Sequence, residues 1–185
     1  FLPNLNSIIT TNYDLLIEYA LGTKIFNYGT LGQILHGRGP YPLSQWIKPV
    51  KLKGNIPVAK IHGSISWDND HFYSDGRRGI TGNALIIAPT PEKEPPTSLQ
   101  AQWDLASKIL RRIKHLIVFG FSFNPYDEAV LNHLKEYGQN VESVLLIDIS
   151  PNIEGCKYCW PKAEIFTTKP PPEGSKFILK RSAGP

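Results

Sequence analysis

Four apolar runs of the sequence each end at polar residues that could take part in catalysis. These residues are Asn12 with Asp14, His62 with Ser64, Ser122, and Asp148. An imidazole titrates near neutrality, so His62 could accept a proton from a sugar hydroxyl or from a water molecule. A carboxylate at the end of a strand, such as Asp148, could accept both hydroxyls of a ribose diol.

The first two of these groups also have ordinary structural interpretations. His62 could be a hydrogen-bonded histidine with no chemical role, and Asn12 and Asp14 could form a turn and a helix N-cap. Gly63 follows His62 directly, and a glycine there would let a ligand approach the backbone closely. The residue types alone leave both interpretations open.

The later two groups carry the same ambiguity. Gly120 and Ser122 could present backbone N–H groups and a hydroxyl to a phosphate at a helix N-terminus, or they could simply form a tight turn. Asp148 could be a turn residue with no ligand. The sequence contains no G-x-G-x-x-G segment, P-loop or serine-hydrolase elbow that would decide between these interpretations.

The elements that would position these residues alternate between strands and helices. Apolar runs at 7–10, 58–61, 116–119 and 144–147 predict strands, and apolar periodicity predicts helices that begin near residue 15 and cover 99–113 and 127–137. The run at 116–119 is continuous, as expected of a strand buried on both faces. The alternation predicts an α/β fold with a parallel sheet and right-handed crossovers, in which the strands' carboxyl ends share one edge.

The predicted domain organisation is one α/β domain over residues 1–150, with a Gly- and Pro-rich irregular insertion at about 28–56. A C-terminal segment, 151–185, follows it, in which Ile165 and Phe166 indicate a last edge strand. No internal repeat is apparent.

The amino-acid composition of the chain restricts the classes of function that we expect. The 185 residues are 41% hydrophobic and 19% charged, which is typical of a globular chain, and no stretch of ~18 apolar residues predicts a membrane span. The net charge of +4 comes from scattered basic residues without interleaved aromatic side chains, so we do not expect a nucleic-acid partner.

The two cysteines cannot form a disulfide framework, and they fit a reducing cytoplasm best. Cys156 and Cys159 have C-x-x-C spacing, which is compatible with half of a zinc site, a redox pair, or two ordinary thiols. A second pair to complete a zinc site is missing from the sequence, so we expect no metal.

Four segments resemble sirtuins and the bacterial sirtuin-like proteins that cleave NAD. The segments, in the order found in that family, are TTNYD at 10–14, KIHGSISW at 60–67, FGFSF at 119–123 with Asp127 after it, and LLID at 145–148. They span about residues 7 to 150. The resemblance implies a Rossmann-like parallel sheet with helices on both faces.

The resemblance also implies roles for individual residues. Asn12 would hold NAD in a reactive pose near the nicotinamide ribose, Asp14 would contact the carboxamide, and His62 would act as general base. The adjoining Thr11 and Gly63 would bind the cofactor as well. Gly120 and Ser122 would line the phosphate and adenosine side, and Asp148 would bind the adenine ribose.

The implied activity is cleavage of the nicotinamide–ribose bond of NAD, with NAD as substrate and water as acceptor. The four-cysteine zinc module of deacylating sirtuins is missing from this sequence, which favours an NAD glycohydrolase over a protein deacylase. The resemblance further implies a role in bacterial antiphage defence by NAD depletion, with the full-length protein a homo-oligomer or fused to a sensor domain, as is typical of such domains. Two rival hypotheses are a non-catalytic module that binds NAD or ADP-ribose, and a plain scaffold domain.

One part of the family pattern has no counterpart in this sequence. The family begins with a strand and a Gly-rich G-A-G-x-S turn that binds the pyrophosphate, and nothing before Ser7 matches it. We therefore expect that the first strand and first helix are missing, that the chain is an N-terminally truncated fragment, and that the fragment alone is not fully active.

Overall fold

The computed structural model describes residues 5–22, 25–29, 54–67, 84–87 and 97–172. Strands and helices alternate along this part of the chain. They are β1 (Ile8–Thr10), α1 (Leu16–Leu21), β2 (Phe26–Asn27), β3 (Ile56–Lys60), α2 (Gln100–Leu110), β4 (His115–Phe119), α3 (Glu128–Tyr137), β5 (Ser143–Ile147), α4 (Ile153–Cys159) and β6 (Glu164–Thr168). All strand pairs among these elements are parallel, which confirms the predicted α/β, Rossmann-like class.

The chain divides into two compact units. The first unit is Asn6–Ile109, and the second is Leu110–Pro185 together with Phe1–Leu5. Each unit contains one three-stranded sheet. Residues 30–53 lie outside the described part of the chain, and most of the predicted insertion at 28–56 falls within them.

The sheet of the first unit has the strand order β1-β3-β2, with β3 in the centre. Ile8 pairs with Val58 and Thr10 with Lys60, while the short β2 pairs with the start of β3. Val58 and Ala59 are fully buried, as the central position of β3 requires. The rings of Phe26, Tyr28 and Trp67 pack edge to face beside the sheet and supply much of this unit's core.

The sheet of the second unit has the order β4-β5-β6, and all five residues of each strand are paired in register. Its core is formed by inward-facing residues of β5 and the apolar faces of α3 and α4. These residues are Val144, Leu146, Val130, Leu131, Leu134, Cys156, Cys159 and Trp160. β6 lies at the sheet edge and contains Ile165 and Phe166, as predicted.

The expectation that β4 is buried on both faces is wrong. Ile117 and Phe119 are 45% and 66% exposed, and exposure alternates along the strand. Their neighbours Leu116 and Val118 share a face with the buried residues of β5 instead. A continuous apolar run locates a strand, but the number of covered faces depends on which elements pack against the sheet.

Two helices differ from the sequence-based expectation. α2 ends at Leu110, three residues before the predicted end, and a 3-10 turn at Thr97–Leu99 precedes it. α4 lies in the segment 151–185, where the sequence pattern predicts no helix. Its N-terminus is stabilised by Asn152, whose side chain accepts a hydrogen bond from Gly155 N at 2.8 Å. Among the helices of the described ranges, none combines the length and apolar character needed to cross a membrane.

Candidate functional site

The carboxyl ends of β1 and β3 lie side by side in the first unit. Thr10 is paired with Lys60, and Ile61 N donates to Thr10 O at 3.1 Å just beyond the last ladder pair. Residues 11–14 and 61–64 therefore leave the sheet at the same edge. The register, and not sequence proximity, brings the segments of Asn12 and His62 together.

Hydrogen bonds tie these two segments to each other. Ile65 N donates to Tyr13 O at 2.9 Å, and Ser64 Oγ donates to the same carbonyl oxygen at 3.4 Å. Ser64 is fully buried, and its hydroxyl also lies 3.2 Å from Ser66 Oγ. Ser64 therefore links the two segments from inside the protein.

Asn12 and Asp14 lie on the more open side of this edge. Asn12 is exposed, and its backbone N–H donates to Thr10 Oγ1 at 3.0 Å, so the strand end fixes its backbone. Asp14 Oδ1 accepts a hydrogen bond from Leu16 N at 3.0 Å. The N-cap of α1 is Leu15 and makes no side-chain cap bond, so the prediction of Asp14 as N-cap is wrong by one residue; the bond from Leu16 N to Asp14 instead closes a turn just before the helix.

His62 is largely enclosed, with 6% of its surface exposed. Its backbone carbonyl accepts a hydrogen bond from Ile87 N at 3.0 Å. Because a general base must reach the proton it accepts, so small an exposed fraction restricts the access of a substrate to His62. The proposed role of His62 as general base stays a prediction.

Gly63 adopts a φ of +80°, in the left-handed region, and a Cβ there would lie 1.9 Å from Leu85 O. The neighbouring Ser64 N donates to that same carbonyl at 3.0 Å. A glycine is therefore required at this position by the protein's own packing. Contact between Gly63 and a ligand stays a prediction.

α2 holds the end of β3 with two buried side chains. Gln102 Oε1 accepts from Lys60 N at 2.9 Å while its Nε2 donates to Tyr28 O at 3.2 Å. Trp103 Nε1 donates to Ile61 O at 2.9 Å. These bonds fix the backbone on the N-terminal side of His62.

Three buried polar residues of the first unit were not predicted from the sequence. Lys60, Glu18 and Gln102 are at most 3% exposed, and Lys60 Nζ lies 2.8 Å from Glu18 Oε1. Burial lowers the pKa of Lys60, and the Glu18 carboxylate opposes that effect. A polar side chain on an amphipathic helix, such as Glu18 or Gln102, or a lysine at the end of a strand, such as Lys60, ordinarily indicates a solvent-facing position, so no local signal distinguishes these residues.

In the second unit, Gly120 and Asp148 line a shallow depression at the carboxyl ends of β4 and β5. Gly120 has a φ of +62°, and the space where a Cβ would lie is open. Asp148 is partly exposed, and its Oδ1 accepts from Ser150 N at 2.8 Å, as expected of a turn residue. Its contact with a ribose stays a prediction. Apolar side chains of Phe121 and Phe123 complete the wall.

The arrangement around Ser122 differs from the expected phosphate-binding turn. Gly120 N donates to Ile147 O at 3.1 Å, so the sheet already uses this N–H group. The Ser122 carbonyl accepts from Asn152 Nδ2 at 3.0 Å, and α3 begins only at Glu128, after a 3-10 turn. The N-terminus of α3 therefore does not adjoin Ser122. Ser122 itself is exposed.

Both cysteines lie on α4 and are buried thiols. Burial raises the pKa of Cys156 to about 11 and that of Cys159 to about 12. Thiolates are the reactive and metal-binding form, so these values favour the interpretation as ordinary thiols. Within the described ranges, no group of three or more His, Cys, Asp and Glu side chains is placed to hold a metal ion.

The sequence profile of a family described as "SIR2-like domain" matches residues 6–152. The chain belongs to this family. SIR2-like domains use NAD, and members of the family are NAD-dependent enzymes. The matched range contains the strand ends of both units that carry the residues discussed above. Neither the curated proteins nor the solved structures contain a significant match to this SIR2-like domain.

Proposed function

We propose that this SIR2-like domain is an NAD glycohydrolase that cleaves the nicotinamide–ribose bond. The single observation that carries the proposal is the pairing of β1 with β3, which places the segments of Asn12 and His62 at one sheet edge. An amide, a carboxylate and an imidazole on adjoining segments match the needs of a reaction in which positive charge develops on a ribose.

The proposed roles follow from this chemistry. Asn12 and Thr11 hold the nicotinamide ribose, and Asp14, whose Oδ1 is already fixed by Leu16 N, contacts the carboxamide. His62 accepts a proton from a ribose hydroxyl or from the attacking water. The amide and carboxylate dipoles stabilise the oxocarbenium-like transition state more strongly than the substrate, which is the requirement for catalysis.

The family resemblance supports roles for Gly120, Ser122 and Asp148 in binding the phosphates and the adenine ribose. Asp148 accepts the hydroxyls of the adenine ribose, and Gly120 and Ser122 lie on the phosphate side. The open space beside Gly120 and the partial exposure of Asp148 support this assignment. Calorimetry of NAD binding to an Asp148→Ala variant tests it.

Water is the proposed acceptor. The sequence contains two cysteines, whereas the zinc module of deacylating sirtuins uses four. An acyl-lysine peptide that accelerated nicotinamide release and lost its acyl group would identify a deacylase instead.

A second candidate function is non-catalytic binding of NAD or ADP-ribose. The observation that favours it is the 6% exposure of His62, which restricts the access that a general base requires. In this case the same strand ends bind the dinucleotide without cleaving it.

The variant His62→Ala separates the two candidates. For the glycohydrolase, nicotinamide release falls by about 10²- to 10⁴-fold, the usual contribution of a general base, while NAD binding persists. His115→Ala is the matched control, because His115 is an exposed histidine on β4 that contacts Ser143 Oγ. Nicotinamide is measured by chromatography, and binding by the thermal shift at increasing NAD concentration.

Each outcome of this experiment is informative. Equal turnover by His62→Ala and the parent chain contradicts the assigned role of His62. An NAD-dependent thermal shift without any nicotinamide release identifies the binding module, since saturation at about 100 times the dissociation constant stabilises by roughly 2.7 kcal/mol. No turnover and no thermal shift contradict both candidates.

The resemblance to bacterial NAD-cleaving proteins supports a cellular role in antiphage defence. We propose that NAD depletion by the full-length protein, as a homo-oligomer or fused to a sensor domain, limits infection. The test compares cellular NAD after phage challenge in bacteria that express the parent protein or His62→Ala. Equal NAD levels in the two strains contradict this role.

A further inference from the structure

The C-terminal residue of β3 is a buried lysine whose ammonium group is bound on two sides. Lys60 and Glu18 have side chains that are each 1% exposed, and Lys60 Nζ lies 2.8 Å from Glu18 Oε1. The same ammonium donates to the backbone carbonyl of Asp14. Both partners lie on the segment that follows β1, 46 and 42 residues before the lysine.

A tyrosine completes this cluster. Tyr28 Oη donates to Glu18 Oε1 at 2.6 Å, and the Tyr28 ring packs against Trp67 at a centroid distance of 4.9 Å. Burial raises the pKa of Tyr28 well above its ordinary value, so the hydroxyl keeps its proton and stays a donor. Glu18 therefore accepts two hydrogen bonds on one oxygen and is held in a single orientation.

The location of this cluster relates it to the candidate site. Lys60 precedes His62 by two residues on the same segment, while the carbonyl that it binds belongs to Asp14. The cluster therefore joins the segment of His62 to the segment of Asn12 through buried side chains. The bond from Ile65 N to Tyr13 O joins the same two segments on the C-terminal side of His62.

Stability alone does not explain a buried ion pair here. Replacing both partners of such a pair by neutral side chains of similar volume is often neutral or stabilising, whereas removing one partner is strongly destabilising. The ammonium group of Lys60 donates a directional hydrogen bond to the Asp14 carbonyl, and an apolar side chain could not. Replacing Lys60 and Glu18 together by neutral residues therefore separates the effect of this bond from the stability of the pair.

We propose that Lys60 is a positioning residue for the NAD-cleaving site, because its ammonium group fixes the Asn12–Asp14 segment relative to His62. This inference rests on the proposed function for its effect on turnover. The effect on the segment itself is independent of that function. Lys60 acts through Asp14 and contacts no part of the substrate.

The test is the double variant Lys60→Met with Glu18→Gln in the full chain. Methionine keeps most of the lysine volume, and the glutamine oxygen still accepts from Tyr28, so the change removes the ammonium's bonds and both charges together. The matched control is Lys114→Met with Glu142→Gln, which makes the same chemical change in an exposed pair with an Nζ–Oε1 distance of 2.6 Å. The measurements are thermal melting, amide hydrogen exchange and the kcat and KM for nicotinamide release.

We expect the double variant to melt near the parent temperature, with faster exchange confined to amides 11–16 and unchanged exchange in β5. We expect kcat to fall by up to about 100-fold, the loss that a 1 Å displacement of a catalytic group can cause, while KM changes far less. The control pair leaves kcat and exchange at 11–16 unchanged.

Two results overturn the proposal. One is unchanged exchange at 11–16 together with unchanged kcat. The other is lower melting with faster exchange throughout the protein, which assigns Lys60 a purely structural role. If the parent chain releases no nicotinamide, the proposed function fails, and local exchange at 11–16 still decides whether Lys60 fixes this segment.

Discussion

The variant Gln102→Met tests how α2 holds the strand end that carries His62. Gln102 is fully buried, and its amide bonds Lys60 N at 2.9 Å and Tyr28 O at 3.2 Å. Methionine has a similar length and fits an apolar site, but it can replace neither bond. The substitution therefore leaves one buried N–H and one buried C=O without their partner.

The expected loss of stability follows from these two groups. A buried donor or acceptor left unsatisfied costs about 1–3 kcal/mol, and the methionine side chain recovers part of that through apolar burial. We expect the free energy of unfolding to fall by about 2–4 kcal/mol. For a chain of this size, that corresponds to a melting temperature lower by roughly 5–15 °C.

The assay is urea unfolding followed by circular dichroism, with Gln100→Met as the control. Gln100 is exposed on the same helix, and its Nε2 donates to Asp104 Oδ1 at 3.0 Å at the surface. We expect the control to change the free energy of unfolding by less than about 0.5 kcal/mol. An unchanged slope against urea in both variants shows that the comparison concerns stability and not the compactness of the denatured state.

Equal unfolding midpoints for the two methionine variants would refute this reasoning. That result would mean that water or a shifted backbone replaces the bonds of Gln102, so that α2 does not hold the end of β3 through this side chain.

Four further predictions concern other parts of the chain. Gly63→Ala abolishes soluble expression or lowers the melting temperature far more than Gly22→Ala does. The reason is that a Cβ at Gly63 meets a backbone oxygen at 1.9 Å, whereas a Cβ at Gly22 meets open space. Similar melting temperatures of the two variants would contradict this packing. Cys156 and Cys159 resist a thiol reagent at pH 8 in the native protein and react fully in denaturant, and fast native labelling would show that the thiols are accessible. Since their folded pKa values of about 11 and 12 lie above the ordinary 9.0, the stability they contribute below pH 9 is lost as the pH rises toward those values, which pH-dependent melting measures. Asp148→Ala weakens NAD binding by about 10- to 100-fold through loss of charged hydrogen bonds to the ribose, and unchanged affinity in calorimetry contradicts that contact.

Much of the fold is predictable because its signals are local. The apolar runs at 7–10, 58–61, 116–119 and 144–147 each correspond to a strand, with boundaries that differ by one or two residues. The edge strand at 165–166 is confirmed as well. Apolar runs bounded by Gly, Pro and polar residues encode strands over a few residues, so no distant contact is needed to recognise them.

The buried faces of the strands and the ends of the helices were harder to predict, because both depend on neighbouring elements. The run at 116–119 forms β4, yet Phe119 is two-thirds exposed because no helix in the described part of the chain covers that face. α4 was not predicted because a helix of seven residues is too short to show a clear apolar periodicity. Its buried residues are Cys156 and Cys159. Its cap at Asn152 was the available signal.

The residues of the candidate site likewise fall into two groups, those that the sequence indicates and those that only the structure identifies. The sequence by itself determined which residues stand at the strand ends, since Asn12, His62 and Asp148 follow apolar runs that form strands in any parallel α/β arrangement. Only the tertiary structure decided that Lys60, Glu18 and Gln102 are buried and hold those strand ends in place. The bonds between Lys60 and Glu18, and those of Gln102, span 42 to 74 residues of the sequence. A polar side chain can be buried only where such a distant partner satisfies it, and no local pattern records that partner.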